Sequence, residues 1–103
     1  MNLEEEIKSI TQQIIKKYNP AKIILFGSVA TGGSTSDSDA DFLILKKDTP
    51  EYGAERIREL SRLISRNIAV DFLIYRPDEF KRGIDMGDPF LKSIIKEGKV
   101  LYG

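Results

Sequence analysis

Residues 27–45 read GSVATGGSTSDSDADFLIL, and the character of the chain changes inside this stretch. From Gly27 to Ser38 every side chain is small or polar except Val29. From Phe42 to Leu45 every side chain is apolar. Asp39-Ala40-Asp41 sits at the junction. Upstream, residues 21–26 (AKIILF) read as a short buried strand that Gly27 ends. The small polar run therefore joins two strands. It reads as an ordered loop with a short helix starting near Ser28, not as a linker, because too little chain precedes it to fold alone. Residues 40–46 form the second strand.

The acids at this junction are the first candidates for chemistry. Asp37, Asp39 and Asp41 fall between Lys22 and Lys46 with no basic residue among them. Side chains two apart in a strand share a face, so Asp39 and Asp41 project together, with about 6–7 Å between their Cα atoms. Two carboxylates so close repel each other unless a proton, a cation or a basic side chain intervenes. With no local base, a hard divalent cation such as Mg²⁺ suits the site. Asp71 is a second anomaly. It lies between Val70 and Phe72 in a third strand, Ile68 to Tyr75, that is otherwise apolar on both faces and so reads as buried and central. A charge there needs a cation, either an Arg or Lys partner or a metal.

Two familiar ligand loops fail on these residues. Asp37-x-Asp39-x-Asp41 matches the opening of an EF-hand, but the sixth position is Phe42, where Gly is needed, and the twelfth is Asp48, where Glu is usual. Gly27-x-x-x-x-Gly32 matches the start of a P-loop, but Gly33 stands where the phosphate-neutralising Lys belongs. Gly27 and Ser28 retain a simpler use. Alone the pair reads as an ordinary turn; at its distance from the Asp pair, a glycine that lets backbone approach closely, followed by a hydroxyl at a helix start, is suited to a phosphate-binding corner.

The rest of the chain alternates helix and strand. Residues 2–18 form an amphipathic helix along Leu3, Ile7, Ile10, Ile14 and Tyr18, with Asn2 as its cap and Pro20 as its stop. Thr49-Pro50-Glu51 opens a second helix whose buried stripe is Ala54, Ile57, Leu60 and Ile64. On its outer side, Glu55–Arg58 and Glu59–Arg62 are spaced for ion pairs. Residues 77–84 make a weak helical turn that carries Lys81 and Arg82, and nothing in the sequence decides whether they reach a phosphate. Asp88-Pro89 starts a last helix through Glu97, Gly98 ends it, and Val100-Leu101-Tyr102 adds an edge strand. This order predicts a single α+β domain over residues 1–103, a small mixed sheet packed with helices.

Composition narrows the chemistry. The chain has 103 residues, 16 basic and 16 acidic, with no His and no Cys. A disulfide framework, a thiolate nucleophile, a Cys/His zinc site and a Ser-His-Asp triad are excluded. Zero net charge gives no electrostatic case for nucleic acid. The apolar runs are far shorter than the ~20 residues of a membrane span. With no signal peptide in view, a cytoplasmic protein is expected.

Leu25-Phe26-Gly27-Ser28-Val29-Ala30-Thr31-Gly32, then Ser38-Asp39-Ala40-Asp41 opening an apolar strand, then the isolated Asp71, resemble the minimal nucleotidyltransferase (MNT) domains of the DNA polymerase beta-like superfamily. The ending, Pro89-Phe90-Leu91 through Gly98-Lys99-Val100-Leu101-Tyr102-Gly103, resembles them too, so the likeness covers nearly the whole chain. One departure is Thr31, where many members carry a basic or bulkier residue.

The resemblance implies a nucleotidyltransferase fold and activity. Asp39 and Asp41 would hold Mg²⁺ on a nucleoside triphosphate, Asp71 would join them at a second metal, and Gly27 and Ser28 would bind phosphate. The reaction would move a nucleoside monophosphate, AMP from ATP, onto a hydroxyl. Such domains are often paired with a HEPN-type toxin, and some act as antitoxins by attaching AMP to a toxin tyrosine. A chain of this length leaves little room for an acceptor-binding domain, so a partner protein or a second copy is expected to complete the site. The alternative is an antitoxin with a vestigial site that acts by complex formation alone. Larger antibiotic- or tRNA-modifying transferases need a substrate domain that this length does not accommodate.

Overall fold

The computed structural model describes residues 2–27, 30 and 40–103. Helix α1 (Leu3–Tyr18) begins where Asn2 Oδ1 accepts a 2.8 Å hydrogen bond from Glu5 N. Three glutamates occupy its first turn and two lysines its last, each opposite to the helix-end partial charge. It stops at Asn19, which takes the left-handed conformation (φ 53°) just before Pro20. Four strands follow: β1 (Lys22–Phe26), β2 (Ala40–Leu45), β3 (Val70–Tyr75) and β4 (Lys99–Tyr102). Helix α2 (Gly53–Ser61) lies between β2 and β3, and helices α3 (Pro77–Asp85) and α4 (Pro89–Glu97) lie between β3 and β4.

The sheet order is β3-β2-β1-β4. Strand β1 pairs antiparallel with both β2 and β4, and β2 pairs parallel with β3, so the sheet is mixed. The strand alternation splits the core in two. Ile23, Leu25, Phe42, Ile44, Phe72 and Ile74 face Ile10, Ile14 and Tyr18 of α1 and Leu60 of α2. Ile24, Leu43 and Leu45 face Phe80 of α3 and Leu91 and Ile94 of α4. Strand β2 is buried on both sides because it is central. The α+β class expected from the sequence holds.

Several local expectations do not. Strand β3 is an edge strand, not a central one. Its two-sided apolar pattern arises because α2 covers one face and Phe80 of α3 packs on Tyr75 from the other, at 6.1 Å between ring centroids. Asp71 is exposed, not buried, because neither cover reaches the start of this edge strand. Residues 77–85 form a full helix, not a weak turn. Glu79 ties its start, accepting from Arg76 N at 2.7 Å. Helix α2 begins at Gly53, later than Thr49-Pro50-Glu51 suggests.

The buried face of α2 also differs. Ala54 and Ile57 are exposed, and Arg56 is buried beside Leu60 at 4% exposure. Its guanidinium donates to Pro50 O, to Glu51 O (3.1 Å), to Ile74 O (3.0 Å) and to both oxygens of Glu79 (2.8 and 3.1 Å). Five acceptors around one planar fork satisfy every donor direction a buried guanidinium has. This ion pair holds α2, β3 and α3 together. The helical pairs Glu55–Arg58 and Glu59–Arg62 do not form. Lys81 and Arg82 instead pair with Asp85 (3.5 Å) and Asp78 (3.9 Å) on the exposed side of α3.

Candidate active site

The ends of three neighbouring strands meet at one rim of the sheet. Phe26, the last residue of β1, is the register partner of Asp41, and Asp41 is the register partner of Asp71. Neighbouring strands lie about 4.8 Å apart, and residues level with each other project to the same face. The two carboxylates are therefore adjacent across the parallel β2–β3 pair, although 30 positions separate them in the chain. By alternation with Leu43, Leu45, Leu73 and Tyr75, they project to the face that carries α3 and α4.

Each acid has its own support. Ala40 N donates to Ala69 O at 3.1 Å, which locks the starts of β2 and β3 level with each other. The segment leading into Asp71 is held from α1. Gln13 makes two 2.8 Å bonds to Ser65, donating to its carbonyl and accepting from its N–H. Glu6, buried in the first turn of α1, accepts from Asn67 N at 2.8 Å. Asp71 itself is exposed and Asp41 is half-buried.

Gly27 completes this rim. Its φ of 77° lies in the left-handed region that glycine adopts without strain. A Cβ built there would collide with Asp41 Oδ2. The missing side chain is thus the space that the Asp41 carboxylate fills. Ala30 N donates to Gly27 O at 3.2 Å. Ser28, Asp37 and Asp39, also singled out from the sequence, lie outside the described residues. Among the described residues no group of three or more acids could hold a metal. The structure brings together Gly27, Asp41 and Asp71.

This partial donor set fits a hard cation. Asp41 and Asp71 supply carboxylate oxygens alone, and like charges held side by side need a counter-charge.

An aromatic pair borders the acids, and sequence reasoning missed it. Phe26 contacts Phe90 edge-to-face, with ring centroids 5.9 Å apart and planes at 83°. Asp88 Oδ1 caps α4 by accepting from Phe90 N (2.9 Å) and Leu91 N (3.3 Å), which orients Phe90 at the helix start. Phe90 remains 50% exposed. The available signal was its place directly after a proline that follows the capping Asp88.

The family model "Polymerase beta, Nucleotidyltransferase" matches residues 5–103. The chain belongs to the polymerase beta nucleotidyltransferase family. The "putative protein adenylyltransferase" of Methanocaldococcus jannaschii is 32% identical over 104 residues, spanning 99% of this chain and all of that one. A crystal structure of a "putative nucleotidyltransferase" from Sulfolobus solfataricus superposes with a TM-score of 0.54 at 26% identity, covering 78% of each chain. The resemblance to MNT domains and the nucleotidyltransferase fold both hold, and transfer of a nucleotidyl group is the family's reaction. No helix among the described residues is long and apolar enough to cross a membrane.

Proposed function

We propose that this nucleotidyltransferase moves AMP from ATP, with Mg²⁺, onto a hydroxyl of a protein acceptor, a tyrosine of a HEPN-type toxin partner. The observation that carries the reading is the register pairing of Asp41 with Asp71 beside the glycine gap at Gly27. Family membership supplies the reaction class, and the adenylyltransferase name of the Methanocaldococcus relative favours AMP and a protein acceptor.

Each residue has a task in such a reaction. The backbone at Gly27, with the Ser28 hydroxyl, binds the triphosphate. Asp39, Asp41 and Asp71 would hold Mg²⁺, which when bound supplies counter-charge to the phosphates and to the leaving group. Asp71, exposed on the outer strand, accepts the proton of the acceptor hydroxyl. The hydroxyl oxygen attacks the α-phosphorus, the bond from that phosphorus to the β-bridging oxygen breaks, and pyrophosphate leaves. The product is a phosphodiester between AMP and the acceptor. Strands β2 and β3 hold the carboxylates on rigid backbone, which limits the reorganisation that the step requires.

The test is incubation with labelled ATP, Mg²⁺ and the protein encoded next to this one. Label on a tyrosine of that protein, lost in Asp41→Ala and Asp71→Ala, is the expected result. Absence of label with wild-type protein defeats the reading. A stable complex that neutralises the partner equally well with either substitution would instead establish a binding antitoxin.

A further inference from the structure

The row of residues at the rim does not end at Asp41. It runs Asp71, Asp41, Phe26 across three strands by register, and then to Phe90 by ring contact. Its β3 end is anionic and open. Its β1 end is aromatic and half-open. We infer that Phe90, backed by Phe26, is the stacking platform for the nucleobase of the bound nucleoside triphosphate. This inference rests on the nucleotidyl-transfer reading above and assigns the base-contacting residue that reading leaves open.

Three observations place the base there. First, Phe26 and Gly27 are consecutive, so the aromatic pair adjoins the backbone corner proposed for phosphate. One strand spacing separates Phe26 from Asp41, and 5.9 Å separates the two rings. The Phe90 ring therefore lies on the order of 10 Å from the acids, the scale of a nucleoside. Second, the exposure of Phe90 has no packing use. The residue sits at the start of a capped helix, Leu91 and Ile94 already serve the core, and half of its ring stays open. An edge-to-face contact fixes one side of an aromatic pair and leaves π surface for a further partner. Third, the two sides of Asp41 are chemically different. Asp71 lies on the β3 side, and on the proposed reading it takes the proton, so the acceptor hydroxyl approaches there. The β1 side is left to the nucleoside. A π face without hydrogen-bonding groups selects for stacking area, so purines bind better than pyrimidines.

The test measures binding by calorimetry for wild type, Phe90→Ala, Phe90→Leu and Phe90→Trp, with ATP, UTP and inorganic tripolyphosphate as separate probes, all with Mg²⁺. Removing a stacked ring weakens ATP binding about tenfold in Phe90→Ala and Phe90→Leu and leaves tripolyphosphate binding unchanged. Leu keeps an apolar contact on Phe26, so it separates stacking from packing, and thermal melts confirm that both variants fold. Phe90→Trp retains or improves ATP affinity, and its fluorescence is quenched by ATP and not by tripolyphosphate. Equal ATP affinity in wild type and Phe90→Ala overturns the platform alone. So does equal loss for ATP and tripolyphosphate, or unchanged ATP affinity with lowered transfer to a tyrosine acceptor, which would assign the ring to the acceptor. Wild-type protein that binds neither ATP nor tripolyphosphate overturns the nucleotidyl-transfer reading and this inference with it.

Discussion

The Cβ that Gly27 lacks would occupy the space of Asp41 Oδ2. Backbone conformation and carboxylate placement are thus coupled at one position. Gly27→Ala carries two penalties: about 1–2 kcal/mol for a side chain at positive φ, and displacement of the Asp41 carboxylate. Gly87 is the control. Its φ of 86° is similar, and a Cβ there meets nothing within 4 Å. Both variants should lose stability in urea unfolding, Gly27→Ala the more because of the added clash, and Gly27→Ala alone should lose transfer activity. Equal activity in the two variants would separate the glycine from the carboxylate.

Asp41 and Asp71 face each other as like charges on neighbouring strands. Directly opposed like charges destabilise a sheet by about 0.2–1 kcal/mol. In a chelator, Asp71→Asn should therefore melt at the same temperature as wild type or a few degrees higher. Millimolar Mg²⁺ should raise the wild-type melting temperature and leave Asp71→Asn nearly unmoved, because a ligand stabilises the state it binds. Calorimetric melts with and without Mg²⁺ read both effects. A Mg²⁺ shift of equal size in the two proteins would remove Asp71 from the metal site.

Arg56 is the most connected buried side chain described. Arg56→Ala leaves Glu79 without its partner and three backbone carbonyls without a donor, a class of change that costs about 3–5 kcal/mol. At about 4–8 °C per kcal/mol for a domain of this size, the melting temperature falls well into the range of visible loss. Arg56→Lys should rescue little, because one ammonium cannot reach Glu79 and the carbonyls of Pro50, Glu51 and Ile74 together. Thermal melts of both variants decide it.

The same pair sets an acid limit. The Glu79 carboxyl is lowered from 4.5 to about 2, chiefly by its hydrogen bond to Arg56, against the opposing effect of burial and with help from Arg76 N. A carboxyl whose folded pKa is depressed contributes stability that is present in full above its unfolded value. That stability drains as pH falls from about 4.5 toward 2. Urea midpoints across this window should fall more steeply for wild type than for Glu79→Gln, which starts lower and has no such proton to take up. Parallel profiles would show that other carboxyls govern acid unfolding.

Much of this architecture was legible in the chain. The α1 cap at Asn2, the strand Phe42–Leu45 and the helix after Asp88-Pro89 follow from short-range rules of capping, alternation and proline placement, and they appear where those rules put them. Asp41 and Asp71 were legible as anomalies of residue type. Their mutual register was not, because parallel pairing is long-range and nothing local encodes it. Asp71 was misjudged as buried for the same reason: an apolar strand looks alike at the centre and at an edge that helices cover. Arg56 was hidden by its charge. It stands four residues before Leu60, on the same helical face, but periodicity counts apolar residues, and only the later Glu79 makes a guanidinium acceptable there. Phe26 was read as strand core, and its alignment with Asp41 needed the antiparallel count from Lys22↔Leu45.

The order β3-β2-β1-β4 has a consequence during synthesis. Strand β1, Lys-Ile-Ile-Leu-Phe, is made near the start of the chain, and its outer neighbour β4 is made only after residue 98. A nascent chain can pair β1 with β2 and add β3, which sets Asp41 beside Asp71, while the other side of β1 still offers unpaired N–H and C=O groups on an apolar ribbon. Such an edge is a template for strands of other chains. Until Lys99–Tyr102 closes it, the edge at Ile23–Leu25 stays open to strands of other chains.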